Sequence, residues 1–153
     1  MICLVFSKSF LSKTLGAIVA VLTLLAFASK ANAEQKVSLG NWDVHYIAFN
    51  TTFLTPEIAK NNGIVRSKYN GLINISVLDK QSQVAQEVLI SGEARNLLGV
   101  VKKLSFKQVR EGEAVYYLAV LPFSDQEHYR INLEINDGKT QQKLKFEHKF
   151  YAE

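Results

Sequence analysis

The last part of the chain alternates apolar and polar side chains with a period of two, and this pattern constrains the fold most strongly. Apolar side chains stand at odd positions from 129 to 135 and recur at even positions from 144 to 150, where His148 takes the same side. Because successive side chains of a strand point to opposite faces, each stretch predicts a half-buried strand. A two-residue turn at Asp137-Gly138 would pair Ile131 with Leu144, Tyr129 with Phe146 and His128 with Glu147.

Five earlier segments also predict strands, because they are rich in β-branched and aromatic residues and end in turn signals. In residues 83–91, Val84 and Val88 could form a helical stripe, but the apolar run before Gly92 favours a strand. Pro122 ends a further strand, since proline cannot donate to a ladder. The predicted strands are 42–49, 71–78, 83–91, 104–109 and 114–121.

One short helix or turn is predicted over residues 55–62. Thr55 offers a capping hydroxyl, Pro56 suits the first helical position and Gly63 is available as a terminator. With about seven short strands and no alternation of strands with helices, the pattern predicts an all-β, antiparallel two-sheet sandwich of immunoglobulin-like type.

The N-terminal residues have the pattern of a cleavable signal peptide. Lys8 and Lys13 precede or flank an uncharged apolar stretch from 15 to 28, which is too short to span a bilayer, and Ala31-Asn32-Ala33 supplies a small-x-small site. We expect cleavage after residue 33, although a single N-terminal anchor is an alternative. The only cysteine, Cys3, would leave with the leader, so residues 34–153 would form one exported β-sandwich domain without disulfides.

Charge and motifs exclude several classes of function. The leader carries three of the 18 basic residues and none of the 14 acidic ones, so 15 basic residues face 14 acidic ones in the mature chain. This balance argues against binding to nucleic acid. Gly92 and Gly99 are too far apart for a phosphate loop, so no cofactor is expected. The histidines His45, His128 and His148 show no known ligand spacing, so no metal site is expected.

Catalysis by a serine nucleophile has little support in the sequence. Ser67 lies between Arg66 and Lys68 without the flanking glycines of a nucleophile elbow. Ser67, His45 and Asp43 can be named as a triad, but any chain of this size contains such a set. No catalytic residue is predicted.

Five motifs carry a resemblance to a known family. They are Val44-His45-Tyr46-x-Ala48-Phe49-Asn50-x-Thr52-Phe53-Leu54-x-Pro56-Glu57, Gly63-Ile64-x-Arg66-Ser67-Lys68, Leu72-x-Asn74-Ile75-Ser76-Val77-Leu78, Gly92-x-Ala94-x-Asn96-Leu97-Leu98-Gly99 and Glu111-Gly112-x-Ala114-Val115-Tyr116-Tyr117. Through them the chain resembles the domain-of-unknown-function family 4426, small periplasmic proteins of Gram-negative bacteria. The resemblance implies export to the periplasm and one β-sandwich domain, with no established activity, cofactor or substrate.

The resemblance also points to a set of polar positions that includes Asn74. The candidate binding residues are His45, Tyr46, Asn50, Arg66, Ser67, Asn96 and Glu111. Loops and strand ends often present binding residues in such folds. The same residues could instead form a buried structural network, and the sequence leaves both interpretations open.

The favoured function is a non-enzymatic binding or accessory module of the cell envelope, whose partner could be an envelope protein. A small hydrolase or ligand-processing enzyme is the alternative if His45, Arg66 and Ser67 meet within hydrogen-bond reach in a pocket. A carrier of an apolar ligand is a third hypothesis, favoured by the many aromatic residues. The sequence does not assign an oligomeric state.

Overall fold

A computed structural model describes residues 35–153 of the chain. The predicted leader and its cleavage site lie outside these residues. Within them, no helix is long and apolar enough to cross a membrane. The elements are β1 (Gln35–Leu39), β2 (Trp42–Asn50), a 3-10 turn (Thr51–Phe53), α1 (Pro56–Asn62), β3 (Asn70–Asp79), β4 (Leu89–Asn96), β5 (Val101–Leu104), β6 (Lys107–Glu111), β7 (Ala114–Pro122), β8 (His128–Asn136) and β9 (Gln141–Lys149).

The strands form two antiparallel sheets packed face to face. One has the order β1-β2-β3-β7-β6 and the other the order β5-β4-β8-β9. The predicted all-β, two-sheet sandwich is therefore confirmed. The structure has nine strands where about seven were predicted, because β1 was not foreseen and the segment 104–109 is divided between two strands.

The prediction of one continuous strand over residues 104–109 was wrong. Leu104 ends β5 and pairs with Gly92, whereas Lys107 begins β6 and pairs with Leu118 in the other sheet. Only Ser105 and Phe106 separate the two strands. The chain therefore changes sheets here, and the alternation of Leu104 and Phe106 breaks before Val109, which is three residues after Phe106.

The predicted strand over residues 83–91 begins only at Leu89. Before it, the chain runs beside β3 as a loop, where the Val77 carbonyl accepts from the Gln86 amide at 2.8 Å and the Val84 carbonyl accepts from the Asp79 amide at 2.8 Å. Gln83 adopts a φ of 56°, in the left-handed region, which interrupts extended structure. The ladder between β3 and β7 stops at Ile75, where this loop replaces β7 beside β3.

The last hairpin has the predicted faces but a different register. Ile131 pairs with Phe146 and Tyr129 with His148, two residues away from the predicted partners. The turn spans residues 137–140, because the Asp137 carboxylate accepts from the amides of Lys139 at 2.8 Å and Thr140 at 2.6 Å. A shift of two residues keeps every side chain on its face, so the apolar sides still coincide.

Helix α1 begins and ends as predicted. The Ile58 amide donates to the Thr55 hydroxyl at 3.3 Å, Pro56 is the first helical residue and Gly63 closes the helix with a φ of 68°. The Lys107 ammonium donates to the Asn62 carbonyl at 3.1 Å, which brings the end of α1 to the outer face of the five-stranded sheet. Leu72 on that face and Ala59 of α1 are both buried, so we infer that α1 covers this corner.

The sandwich has two distinct ends. At one end lie residues 50–69, 96–103, 123–127 and 149–153, which we call the loop end. At the other lie the connections 40–41, 80–88, 112–113 and 137–140, which we call the turn end. Fully buried side chains such as Tyr129, Phe150 and Leu133 fill the space between the sheets.

Candidate functional site

Asn50 and Thr51 fix the chain where β2 reaches the loop end. The Asn50 side-chain amide donates to the Tyr151 carbonyl at 2.6 Å, which ties the C-terminal segment to β2. The Thr51 side chain is fully buried. Its hydroxyl accepts from the Ser67 amide at 2.9 Å and lies 3.1 Å from the Ser67 carbonyl oxygen. These contacts hold the long β2–β3 connection against the end of the sandwich.

Arg66 and Ser67 belong to the same arrangement. The Arg66 guanidinium donates to the Thr52 carbonyl at 3.0 Å, and the Ser67 hydroxyl accepts from the Tyr69 amide at 3.1 Å. The structure thus brings together Asn50, Arg66 and Ser67, as three of the candidate residues. In the described chain, the polar side-chain atoms of these three residues bind backbone groups. Contacts of this kind are the ones that a structural network would make.

Asn96 shapes the hairpin that joins β4 to β5. Its side-chain oxygen accepts from the amides of Leu98 at 3.1 Å and Val100 at 2.8 Å, so one side chain satisfies two amides of the hairpin. Its side-chain nitrogen donates to Glu127 at 2.7 Å. Sequence reasoning named Asn96 but missed Glu127, which lies 31 positions away in the β7–β8 connection.

The Glu127 carboxylate accepts hydrogen bonds from two loops of the loop end, through Asn96 and the Ser124 amide. Partial burial of its carboxyl group raises the pKa, but hydrogen bonds from Asn96 and from the Ser124 amide lower it more, and the pKa of Glu127 falls below its usual value. The carboxylate is therefore held charged between two loops. No sequence signal marks Glu127, because an acidic residue in a connection is ordinary.

The β7–β8 connection, residues 123–127, links the other segments of the loop end. The Phe123 amide donates to the Tyr69 carbonyl at 2.9 Å, and the Phe150 amide donates to the Glu127 carbonyl at 2.9 Å. The Ala152 amide donates to the Asp125 carboxylate at 2.9 Å. Together with the bond between Asn96 and Glu127, these contacts join all four segments into one connected surface.

His45 and Tyr46 lie in the middle of β2, away from the loop end. His45 is on the outer face of its sheet, between Lys36 of β1 and Ser76 of β3. Tyr46 points the other way, and its ring lies 4.6 Å from the ring of Phe146 in the opposite sheet. These two neighbours therefore cannot contribute to one site.

Asn74 and Glu111 are also separate from the loop end. Asn74 lies on the outer face between Ile47 and Leu118, and its buried side-chain oxygen has no hydrogen-bond partner among the described residues. Glu111 is exposed at the end of β6, opposite Ala114 and next to the turn end. The candidate residues therefore occupy at least three regions of the molecule.

The trio that a hydrolase would need is not assembled. Ser67 contacts Thr51, which is six residues beyond His45 along an extended strand, a distance of roughly 20 Å at the usual rise per residue. Asp43 lies two residues further away on the same strand. The Ser67 hydroxyl therefore cannot reach the His45 imidazole, and Ser67, His45 and Asp43 do not form a triad.

Asp43 forms a polar cluster that sequence reasoning did not identify. It is almost fully buried and accepts from the Lys36 ammonium at 2.7 Å, the Ser38 hydroxyl at 2.6 Å and the Gln83 side-chain amide at 3.1 Å. The hydrogen bond from Lys36, followed by those from Ser38 and Gln83, holds the pKa of Asp43 far below its usual value. The cluster ties β1 and the β3–β4 loop to β2, which is a structural role.

Several clefts open on the surface of the described chain. One of about 410 Å³ is lined by Phe106, Gln108 and Tyr117 beside the start of β4. Another of about 650 Å³ lies at the turn end, between the β3–β4 loop and the β6–β7 hairpin. A third of about 280 Å³ is lined by Phe49, Phe53 and His148. None of the three contains the trio of His45, Arg66 and Ser67.

His128, Glu147 and His148 are neighbours on the last hairpin. His128 Nε2 lies 3.1 Å from Glu147, the pair that sequence reasoning proposed, although Arg130 is the residue directly opposite Glu147. Burial, with a smaller contribution from His128, lowers the pKa of His148. Across residues 35–153, no three or more His, Cys, Asp or Glu side chains are grouped so that they could hold a metal ion.

The loop end is also where the chain exposes apolar side chains. Of the twelve large apolar side chains exposed in residues 35–153, nine belong to the loop end: four from 50–69, four from 96–103, and Tyr151. Leu98 is 89% exposed and Leu97 67% exposed at the tip of the β4–β5 hairpin. Both leucines lie in one of the family motifs, but sequence reasoning used only their polar neighbour Asn96.

These features define a class: a nine-stranded antiparallel β-sandwich whose polar loop residues build one connected, partly apolar end. Within that class, the chain belongs to the family described as "Domain of unknown function (DUF4426)", whose model matches residues 36–153. The crystal structure of a DUF4426 family protein from Pseudomonas aeruginosa PAO1 is similar, with 36% sequence identity and a TM-score of 0.70. The match covers 78% of this chain and 96% of the Pseudomonas chain.

More distant structures share the fold alone. A copper-bound variant of FetP from uropathogenic Escherichia coli strain F11 is 14% identical, with a TM-score of 0.54 over 77% of this chain and 95% of the FetP chain. FetP of the same strain, expressed in the periplasm of Escherichia coli, has the same identity and TM-score. No protein of curated function matches the chain.

Proposed function

We propose that this protein is a non-enzymatic binding or accessory module of the Gram-negative cell envelope, that it works in the periplasm after removal of residues 1–33, and that it binds its partner through the loop end. One observation carries the proposal. The surface with most of the exposed apolar side chains is also the surface whose loops are joined by Asn50, Thr51, Asn96 and Glu127. An apolar surface on fixed loops is typical of an interaction site.

The separation of the candidate polar residues supports binding over catalysis. The hydrolase alternative needs His45, Arg66 and Ser67 in one pocket, and these residues lie in different regions. The carrier alternative needs an apolar cavity, whereas side chains fill the space between the sheets. The likeness to copper-bound FetP, at 14% identity, concerns the fold alone and carries no copper site over to this chain.

The periplasmic location has its own test. Fractionation of cells that express the full chain should place the protein in the periplasmic fraction, and mass spectrometry of the purified protein should find Glu34 at its N-terminus. Support comes from the signal pattern and from FetP, which was expressed in the periplasm. A protein that keeps residues 1–33 would contradict this part of the proposal.

The binding surface is tested by photo-crosslinking in living cells. A photoreactive amino acid at position 98 is compared with one at position 89, because Leu89 is 77% exposed at the opposite end of the sandwich. We expect an adduct, with protein or with lipid, from position 98 and none from position 89. Equal labelling from both positions, or no labelling from position 98, would count against the loop end as the binding surface.

A further inference from the structure

The β4–β5 hairpin projects two leucines from the loop end. Leu98 and Leu97 are among the most exposed apolar side chains of the described residues, and they stand next to each other before Gly99. A side chain as exposed as Leu98 lines no groove on its own molecule. The projecting leucines can therefore insert into an apolar region of a partner. They do not form a pocket into which a peptide could bind.

The hairpin tip has a fixed conformation. The Asn96 amide donates to the Val100 carbonyl at 3.0 Å and the Gly99 amide donates to the Asn96 carbonyl at 3.0 Å. The Asn96 side chain binds two further amides of the tip and reaches Glu127 at 2.7 Å. The backbone of the tip therefore has little conformational entropy left to lose when the leucines bind, which favours association.

Lysines stand beside tyrosines at the same end. The Lys68 ammonium lies 5.1 Å from the centre of the Tyr69 ring, and the Lys149 ammonium lies 5.0 Å from the centre of the Tyr151 ring. Both tyrosines are about half exposed. Tyrosine and lysine are the residues that collect at the level of lipid headgroups, where an apolar body meets water and anionic groups.

The two ends differ in charge. The segments of the loop end carry six basic residues and four acidic ones. The connections of the turn end carry two basic residues and three acidic ones. A negatively charged surface therefore attracts the loop end more than the turn end, although the whole domain is close to neutral.

From these observations we infer that the loop end docks on a phospholipid membrane that contains anionic lipid, with Leu97 and Leu98 entering the interface. This inference rests on the proposed function, since it names the partner of the same surface. In this arrangement the leucines would supply apolar area, and Lys68 and Lys149 of the same end would meet the anionic headgroups. A protein partner is the other class that such a surface fits, and the experiments separate the two.

The first experiment measures binding of the protein, purified as the cell processes it, to vesicles of phosphatidylethanolamine and phosphatidylglycerol. We expect the protein to sediment with these vesicles and to bind vesicles of phosphatidylcholine at least about fivefold more weakly. Replacement of both leucines, Leu97→Ser with Leu98→Ser, should lower the partition coefficient by at least about tenfold. The control Leu89→Ser removes a leucine of similar exposure at the opposite end and should change it by less than about twofold.

The second experiment reports the position of the tip directly. Leu98→Trp should show a blue shift of its fluorescence on the anionic vesicles and should be quenched by brominated lipid, whereas Leu89→Trp should show neither effect. The native Trp42 is buried in the core and gives a constant background. Lys68→Gln and Lys149→Gln should each weaken binding by about fivefold and reduce its sensitivity to salt.

Three results would overturn the inference. They are absence of binding to anionic vesicles, equal binding to neutral vesicles, and equal loss of binding in the Leu89→Ser control. A crosslink from position 98 to a protein, together with no vesicle binding, would overturn the membrane partner while leaving the proposed function intact. Binding to vesicles through Leu98 would support both.

Discussion

Asn96 donates a hydrogen bond to Glu127 at 2.7 Å and thereby joins the β4–β5 hairpin to the β7–β8 connection. The two residues are 31 positions apart in the chain and belong to no common strand pair. The bond completes the set of contacts at the loop end, because Asn96 also orders the hairpin tip and Glu127 also binds the Ser124 amide. This side-chain contact adds to the ladder between β4 and β8, which already joins the hairpin of the exposed leucines to the sandwich.

Asn96→Ala should destabilise the protein by about 1–3 kcal/mol, because the hairpin amides of Leu98 and Val100 and the Glu127 carboxylate lose their partner. Urea unfolding measures the change. Arg95→Ala, which alters the exposed neighbour, should change the free energy of unfolding by less than about 0.5 kcal/mol. Equal effects from both substitutions would contradict the role of Asn96.

Thr51→Val should destabilise the protein by about 1–3 kcal/mol. Valine keeps the shape of threonine, but the buried hydroxyl and its contacts with Ser67 are lost, so the Ser67 amide is left without its acceptor. Thr52→Val is a matched control, since the side chain of Thr52 is less buried and its carbonyl, not its hydroxyl, binds Arg66. Thermal unfolding of both variants provides the comparison, and a neutral Thr51→Val would count against this network.

Acid should destabilise the protein through Asp43. The pKa of this carboxyl group is lowered in the folded protein, so between the folded and the ordinary value the unfolded chain binds more protons. The resulting stability is present above the ordinary pKa of aspartate and is lost as the pH falls below it. Unfolding in urea from pH 6 to pH 2.5 should therefore show a falling free energy of unfolding.

The Asp43→Asn variant tests the source of this acid dependence. It removes the titrating group, so its free energy of unfolding should fall less steeply over the same pH range. Lys36→Gln should also reduce the slope, because the Lys36 ammonium is the largest cause of the low pKa of Asp43. If the free energy of unfolding fell with pH as steeply in both variants as in the native protein, other carboxyl groups would be the main source of the acid dependence.

Gly92→Ala should destabilise the protein by about 1–3 kcal/mol or more. Gly92 lies in β4 between β5 and β8, and an added Cβ would collide with the backbone oxygen of Asn132, which cannot move without disturbing the ladder. Ser91→Ala, next to it and exposed, is the control and should be close to neutral. A stable Gly92→Ala variant would show that β4 and β8 can separate locally.

Much of the fold could be predicted from side-chain alternation and turn residues. The faces of β8 and β9, the capped helix after Thr55 and the end of β7 at Pro122 follow from local rules. The register of the last hairpin could not be predicted, because the bonds of Asp137 favour a four-residue turn while the sequence also allows two residues. The change of sheet after Leu104 could not be predicted, because the break in alternation between Phe106 and Val109 does not show which neighbour each half pairs with.

The candidate binding residues stay a prediction, and their contacts show why the sequence could not decide their role. Asn50, Arg66, Ser67 and Asn96 do meet at one end, but their polar atoms bind backbone groups of the loops. Composition and motifs cannot distinguish such contacts from contacts with a ligand. The sequence did not point to Thr51 and Glu127, because their partners are distant in sequence. Leu97 and Leu98 were not predicted either, although two adjacent leucines before Gly99 are a signal that the sequence contains.

The short connection between β5 and β6 has a mechanical consequence. Ser105 and Phe106 are too few to let the two layers move apart, so any opening of the sandwich must first peel β5 or β6 from its neighbour. We therefore expect amide hydrogens in both layers to exchange with solvent at similar rates, as in a single cooperative unit. The chain itself connects the two layers at this edge, where residues 35–153 contain no cysteine that could join them by a covalent bond.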